Sequence, residues 1–381
     1  MPLYLDYAAT TPVRAESAQA VTRVLQESFG NPSSLYAPGR QAAADLKAHR
    51  TMVAGALGCA PEELFFTSSG TESNNWAIRA ALELGRRRGK HIITTAIEHA
   101  AVLEPLRLLE LQGYEVTRLT PDETGRVSPA DLEAALREDT VLVSMMLVNN
   151  ELGSVQPVAE CVKRTKAFSK DILFHTDAVQ GFLKIPFTPK ALGVDLLSVS
   201  GHKIHAPKGV GALFIKKDLI KKMKPLLAGG GQENGLRSGT ESTALIAGFG
   251  EAARLGKAEA PAAQAAMKAV KDYAQATLPA KVEGLQILCA TEAPHILSFS
   301  LPSYKSQVLV RYLSDLGVYV SAGSACHKGA ASHVYAALKL PKSVLDGVLR
   351  ISFDAATTPA DIDTLADALN QAKSALFTTL S

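Results

Sequence analysis

Asp195-Leu-Leu-Ser-Val-Ser-Gly-His-Lys203-Ile-His-Ala-Pro-Lys-Gly-Val-Gly211 is the stretch from which the rest of the chain can be read. Its apolar run, Leu196 to Val199, is strand-like. It delivers Ser200, Gly201, His202 and Lys203 in succession before Gly and Pro residues stop the strand from continuing. A lysine therefore stands at a strand end among hydroxyl and imidazole donors. Taken alone, Lys203 reads as a solvated loop residue, and His202 and His205 as capping or packing residues. No cysteine or carboxylate completes a zinc spacing around the two histidines, so no metal site is expected.

A second apolar run upstream changes that reading. Phe174-His-Thr-Asp177-Ala-Val-Gln180 ends on a carboxylate, with Gln180 one turn further on. A lysine can form a Schiff base with an aldehyde, and an acid can keep a pyridine nitrogen protonated so that the ring accepts electrons. Asp177 and Lys203, each at the end of its own strand, fit the needs of pyridoxal 5′-phosphate, and Ser200 and His202 could hold its phosphate.

The neighbouring segments have the same form. Leu64-Phe-Phe-Thr-Ser-Ser-Gly70-Thr71-Glu-Ser reads as strand, glycine turn and helix. The first helical amides, after Gly70 and Thr71, lack partners and sit at the positive end of the dipole, which suits a phosphate; the plainer reading is a capping box with Glu72. His91-Ile-Ile-Thr-Thr-Ala-Ile-Glu-His99 is a strand leading to an imidazole, with a helix from Val102. Thr140 to Val148 is a continuous apolar strand followed by Asn149, Asn150 and Glu151, as in parallel sheets covered on both faces. Strands alternating with helices predict an α/β architecture with ligands at the carboxyl ends of the strands.

Outside this frame, Ala15–Phe29 and Gln41–Leu57 read as helices flanking a turn-rich loop, Gly30 to Arg40, long enough to border a pocket. Lys216 to Lys224 reads as a basic solvated helix face. Gly229 to Thr240 is a glycine-rich loop ahead of a small-residue helix, suited to phosphate or to close backbone approach. An Ala-rich helix, Lys257 to Lys271, connects to a second, α+β region with strands at Gln286–Cys289, Ile296–Ser300 and Leu349–Phe353.

Composition sets outer bounds. A chain of 381 residues, 47% hydrophobic, buries a full core, and a net charge of +3 with scattered Lys and Arg implies neither a nucleic-acid nor a membrane surface. No apolar run is long enough to span a bilayer, and Met-Pro-Leu-Tyr-Leu-Asp has no signal core, so the expected compartment is the cytoplasm. The four cysteines form no Cys-x-x-Cys pair and predict free thiols. Cys59, Cys161 and Cys289 read as small hydrophobes in structured segments. Cys326 is different: it lies in Gly323-Ser-Ala-Cys326-His327-Lys328-Gly-Ala-Ala, among small residues that cannot lock it and beside positive charge that favours the thiolate. It reads as a nucleophile.

Taken together, these segments resemble the cysteine desulfurases of the NifS/IscS type, within the fold-type I pyridoxal-phosphate enzymes. The resemblance is carried in order by Leu5-Asp-Tyr-Ala-Ala-Thr-Thr, Gly30-Asn-Pro-Ser-Ser, Ser69-Gly-Thr-Glu-Ser, Glu98-His, Asn149-Asn-Glu-Leu-Gly, His175-Thr-Asp-Ala-Val-Gln, Ser200-Gly-His-Lys, Arg237-Ser-Gly-Thr and Gly323-Ser-Ala-Cys. It implies a large domain, 13–257, on a mainly parallel seven-stranded sheet, and a smaller α+β domain, 1–12 with 258–381, carrying the Cys326 loop. It implies that Lys203 takes the cofactor aldehyde, Asp177 pairs with the pyridine nitrogen and His99 stacks on the ring. Gln180 and Asn150 would lie near the phenolic oxygen. Gly70, Thr71, Ser200 and His202 would hold the phosphate, with Thr240 from the partner subunit of a homodimer that shares the active site. Arg350, with Asn150, would bind the carboxylate of L-cysteine. Lys203 would then remove the α-proton, Cys326 would take the sulfur as a persulfide, and alanine would leave. The sulfur acceptor would be an iron-sulfur scaffold or a tRNA-thiolation enzyme.

Two departures from the family stand out. The segment from Cys326 to His333 is shorter than in the best-known IscS-type members, and Ala355 stands where they carry a second arginine. The competing readings are an aminotransferase, a selenocysteine lyase, and a non-enzymatic sulfur-assembly scaffold. The first two have no evident use for Cys326, and a scaffold has no need of the lysine, the ring acid and the thiol together.

Overall fold

The computed structural model of the protein describes residues 2–289, 291–322 and 332–378. Seven strands form the large sheet in the order Leu64–Thr67, Gly211–Ile215, Leu196–Ser200, Leu173–Asp177, Thr140–Ser144, His91–Thr95, Glu115–Leu119. Neighbours run parallel except at Gly211–Ile215, which is antiparallel to both of its partners. The three central strands are buried at every residue. Successive side chains supply opposite cores: Leu142, Leu173 and Leu196 on one face, Val143, Phe174 and Leu197 on the other. That double burial is why these segments read as unbroken apolar runs rather than alternating ones.

A smaller four-stranded antiparallel sheet, ordered Ser321–Ala322, Val348–Ser352, Ile296–Ser300, Gln286–Ile287, has its own core around Phe299, Leu349, Ile351, Leu365 and Leu369. The first residues of the chain join it. Leu3–Tyr4 pairs in parallel with Val318–Tyr319, Asp6 bridges to Ser352, and Leu5 is fully buried in the same core.

The two cores are connected by one helix, Thr243–Lys281, of 39 residues. The sequence reading broke it into a small-residue helix and a separate connector from Lys257, and Pro261 lies close to that division. Proline removes one helical hydrogen bond and disfavours the helical conformation of the residue before it. Tertiary burial on both sides overrides it: Ile246, Phe249 and Ala252 sit in the large core, and Met267, Val270, Ala274 and Leu278 in the small one. Gly250 allows the helix to close on Ala37–Leu57, since a Cβ there would come within 2.8 Å of His49 Nδ1. Ala37–Leu57 itself starts four residues before Gln41, with Pro38 in its first turn. The basic stretch Lys216 to Lys224 contains only a single helical turn, Lys217–Ile220.

Candidate active site

The carboxyl ends of the parallel strands open into a cavity of about 440 Å³, within the range of small-molecule sites. Lys203 enters it from the turn Gly201–Lys203 that follows the strand Leu196–Ser200. Its Nζ donates to the carbonyls of Ala8 and Ala9, at 2.6 Å each. Burial, and then the Arg350 guanidinium, bring the amine from its ordinary 10.5 down to about 8, against the pull of Asp6 and Asp177. A substantial fraction of this lysine is therefore neutral near physiological pH, as a base or amine nucleophile requires.

Asp177 ends the adjacent strand and is nearly buried. Asn74 Nδ2 donates to its Oδ2 at 2.7 Å and the Val179 amide to its Oδ1 at 2.9 Å, which leaves acceptor capacity on the carboxylate. Asn74 was not singled out from the sequence. It faces the site because the helix Gly70–Gly85 starts there and position 74 lies one turn in.

That helix start also resolves the two sequence readings of Ser69 and Glu72. Ser69 Oγ accepts from the Glu72 amide at 3.2 Å, and Glu72 Oε2 accepts from the Ser68 amide at 2.8 Å. Glu72 is in turn paired with Arg237, Nε to Oε1 at 2.8 Å. The cap satisfies the third amide, and among the described residues the amides of Gly70 and Thr71 find no acceptor. Capping and anion binding therefore coexist at one helix N-terminus. Gly70 permits the close approach, since a Cβ there would come within 2.8 Å of Val179 Cγ2.

His99 caps the helix Ala100–Glu110, its Nδ1 accepting from the Ala101 amide at 3.1 Å. Burial, reinforced by Lys203 and opposed by Asp177, holds this imidazole below its usual value. The neutral ring then carries its proton on Nε2. Beneath it, Glu98 is fully buried: Oε1 accepts from Thr95 Oγ1 at 2.7 Å and from the Met146 amide at 2.8 Å, and Oε2 has no partner. Burial pushes Glu98 up to about 8, so it is neutral at pH 7. His202, whose Nδ1 lies 3.2 Å from Thr10 Oγ1, is brought down to about 4 by burial and then by Lys203 and Lys208.

The opposite wall comes from the small sheet. Arg350, on the strand Val348–Ser352, donates from Nη1 to the Asn150 carbonyl at 2.8 Å and from Nη2 to Asp6 Oδ1 at 2.6 Å, and its buried Nε has no partner. Gln180 Nε2 donates to the Ala8 carbonyl at 2.8 Å. Gly70, Thr71, His99, Asn150, Asp177, Gln180, Ser200, His202, Lys203 and Arg350 all line this one cavity. Thr240 does not: it is exposed, beside Ser68 and Arg237. Cys326 lies outside the described residues. The chain after it is tied down where Ser332 Oγ donates to Glu151 Oε1 and His333 Nε2 donates to the Glu98 carbonyl, both at 2.8 Å.

Pyridoxal 5′-phosphate fits this donor set. Free helix-terminal amides suit a phosphate, a carboxylate with spare acceptor capacity suits a ring N–H, and a partly neutral lysine suits an aldehyde. The sheet and the site define a fold-type I enzyme dependent on that cofactor. Residues 3–365 match the model of the aminotransferase class-V family. The chain is 41% identical to a cysteine desulfurase IscS of Dictyoglomus turgidum, over 97% of this chain and 94% of that protein. It is 40% identical to a cysteine desulfurase IscS of Methanosarcina thermophila, over 95% of this chain and 89% of that one. A solved NifS-like protein superimposes with a TM-score of 0.92 at 36% identity, covering 99% of this chain and all of its own. The chain belongs to the class-V aminotransferase family, among the NifS/IscS-type cysteine desulfurases.

Proposed function

We propose that the protein is a cysteine desulfurase that converts L-cysteine to L-alanine, retains the sulfur as a persulfide on Cys326, and passes it to an acceptor protein. The observation that carries the reading is a single cavity in which a lysine of lowered proton affinity, an aspartate at the end of the next strand and an arginine from a different sheet face one another. Bound there, pyridoxal 5′-phosphate supplies an electron sink for the carbanion at the substrate α-carbon. Asp177, held by Asn74 and the Val179 amide, keeps a negative charge where the ring nitrogen needs one, and Gly70 and Thr71 offer their amides to the phosphate. Arg350 receives the substrate carboxylate, its Nε being free and its Nη2 exchanging Asp6 for substrate. Lys203 Nζ, near neutrality at pH 8, takes the α-proton. The Cys326 thiolate bonds to the substrate sulfur as the C–S bond breaks, and the carbon side leaves as alanine.

The same reading makes the enzyme a homodimer. Phe29, Leu35 and Tyr36 are 76%, 89% and 62% exposed in the loop ahead of the helix Ala37–Leu57, an apolar surface suited to a partner subunit, and Thr240 faces outward as a phosphate ligand for that partner must. Iron-sulfur assembly or tRNA thiolation, in the cytoplasm, would consume the persulfide; among the described residues no helix is long and apolar enough to cross a membrane. The test is alanine and sulfide release from L-cysteine, with reductant, by wild type and Cys326→Ala at equal cofactor loading. Turnover by the wild type alone is expected. Equal turnover by both would identify a lyase that does not use the thiol, and turnover by neither would favour a scaffold.

A further inference from the structure

A second cavity, of about 490 Å³, lies behind the turn that carries Lys203. One wall is the long helix, with Gly256, Glu259, Ala260, Ala263 and Met267. The others are Leu183 and Lys184 after the Asp177 strand, Ile204 and His205 after Lys203, and Asp354 to Ala356 after the Arg350 strand. None of these side chains serves the chemistry described above, and most of the lining is aliphatic.

Its charged groups are unevenly satisfied. Asp354 has one partner on each oxygen: His205 Nε2 lies 2.8 Å from Oδ2, and Oδ1 accepts from the Ala356 amide at 3.2 Å. Glu259 Oε2 accepts from Arg14 Nη2 at 2.8 Å. The donors are the ones left over. Lys184 is only 9% exposed, and among the described residues its ammonium has no hydrogen-bond acceptor and no carboxylate within ion-pair distance. Arg14 Nε is buried and has no hydrogen-bond acceptor, with Glu16 Oε2 at 3.7 Å as its ion-pair neighbour. Lys184 keeps only the longer-range attraction of Asp354 against the loss of its hydration, and a charged donor without an acceptor is costly to bury. Two cationic side chains with N–H groups still lacking acceptors, on a lining that is aliphatic apart from them, His205, Glu259 and Asp354, suit an anion with an apolar body. The volume is in the range of small-ligand sites. Ala355 and Ala356, with one-carbon side chains, leave that space open.

We infer that this cavity is a second ligand site, separate from the Lys203 cavity, that takes a small aliphatic carboxylate, its head on Lys184 and Arg14 and its body along Ile204, Ala260, Ala263 and Met267. The ligand would touch the chain one residue beyond Lys203 and five beyond Arg350, so its occupancy is linked to both walls of the catalytic cavity. The inference stands on the cavity and its unmet donors and does not depend on the reaction assigned to the enzyme.

The probe is 3-methylbutyrate, titrated calorimetrically into holoenzyme. An Arg350→Ala background removes the other carboxylate-binding arginine. One site per chain is expected there. Lys184→Met in the same background should weaken binding roughly tenfold or more, the loss expected for one charge-assisted hydrogen bond. Ala260→Phe keeps every charge and fills the space, so it should weaken binding comparably while cofactor content stays at wild-type level; it also covers the case in which Lys184→Met fails to fold. 3-Methylbutylamine, with the same body and no anion, should not compete. Absence of 3-methylbutyrate binding at concentrations on the order of 10 mM, a free energy weaker than about −3 kcal/mol, would overturn the inference. So would binding that both variants leave unchanged, or competition by the amine.

Discussion

Replacing Lys203 with methionine removes a charge that the apoprotein holds at a cost, and the size of that cost follows from the site. Its proton affinity falls from the ordinary 10.5 to about 8, with burial as the main cause. At about 1.4 kcal/mol per tenfold change in affinity, the fully protonated amine is disfavoured in the folded state by about 3 kcal/mol. Below pH 8 both folded and unfolded chains carry the proton and the penalty is fully present. Between about 8 and 10.5 the unfolded chain binds more protons than the folded one, so wild-type stability rises with pH relative to a chain that lacks this group. At pH 7 the two hydrogen bonds from Nζ to Ala8 and Ala9 offset part of the penalty, so Lys203→Met should be equal to or up to about 2 kcal/mol more stable than wild type. By pH 10 that advantage should have disappeared or reversed. The assay is urea unfolding of both apoproteins at several pH values, read as the difference in midpoint, which cancels the titrating groups that the two proteins share. A difference that does not change between pH 7 and pH 10 would refute an amine lowered to about 8.

Three further outcomes are expected. Asn74→Ala removes one of two donors to Asp177, and should weaken cofactor retention in equilibrium dialysis roughly tenfold, as for a hydrogen bond to a charged group. Arg350→Leu should raise the KM for L-cysteine by roughly a hundredfold or more in steady-state kinetics, with cofactor content unchanged because no phosphate or ring ligand is lost. Arg50→Ala strands Glu233, whose nearly buried carboxylate accepts from Arg50 Nη1 at 2.8 Å, Arg50 Nη2 at 2.5 Å and the Phe66 amide at 2.9 Å. About 3 kcal/mol of destabilisation should appear in denaturant unfolding.

The large sheet was legible because each central strand is buried on both faces, which leaves an unbroken apolar run with its chemistry at the end. Asp177, Lys203 and His99 could be found for that reason. What joins them could not. Asn74 lies 103 residues from Asp177, and Asp6 lies 344 from Arg350. Backbone carbonyls such as those of Ala8 and Ala9 carry no side-chain signature at all. The unbroken course of Thr243–Lys281 was hidden by Pro261, whose local preference is outvoted by two separate hydrophobic cores. Thr240 reads as a phosphate ligand only through resemblance, since within one chain it faces solvent.

The strip from Leu3 to Ala9 has a consequence for how the enzyme is made. It precedes the parallel sheet in the chain, yet its pairing partner Val318–Tyr319 and its ion-pair partner Arg350 follow that sheet. The parallel sheet can begin to assemble while the chain is still emerging from the ribosome, but the carbonyls that hold Lys203 cannot be fixed until nearly the whole polypeptide is out. An unfinished or C-terminally truncated chain therefore lacks a working site. Sulfur cannot be mobilised before the Arg350 strand has been made, and a disturbance of Leu3 to Ala9 is felt at Lys203 as well as in the small core that holds Leu5.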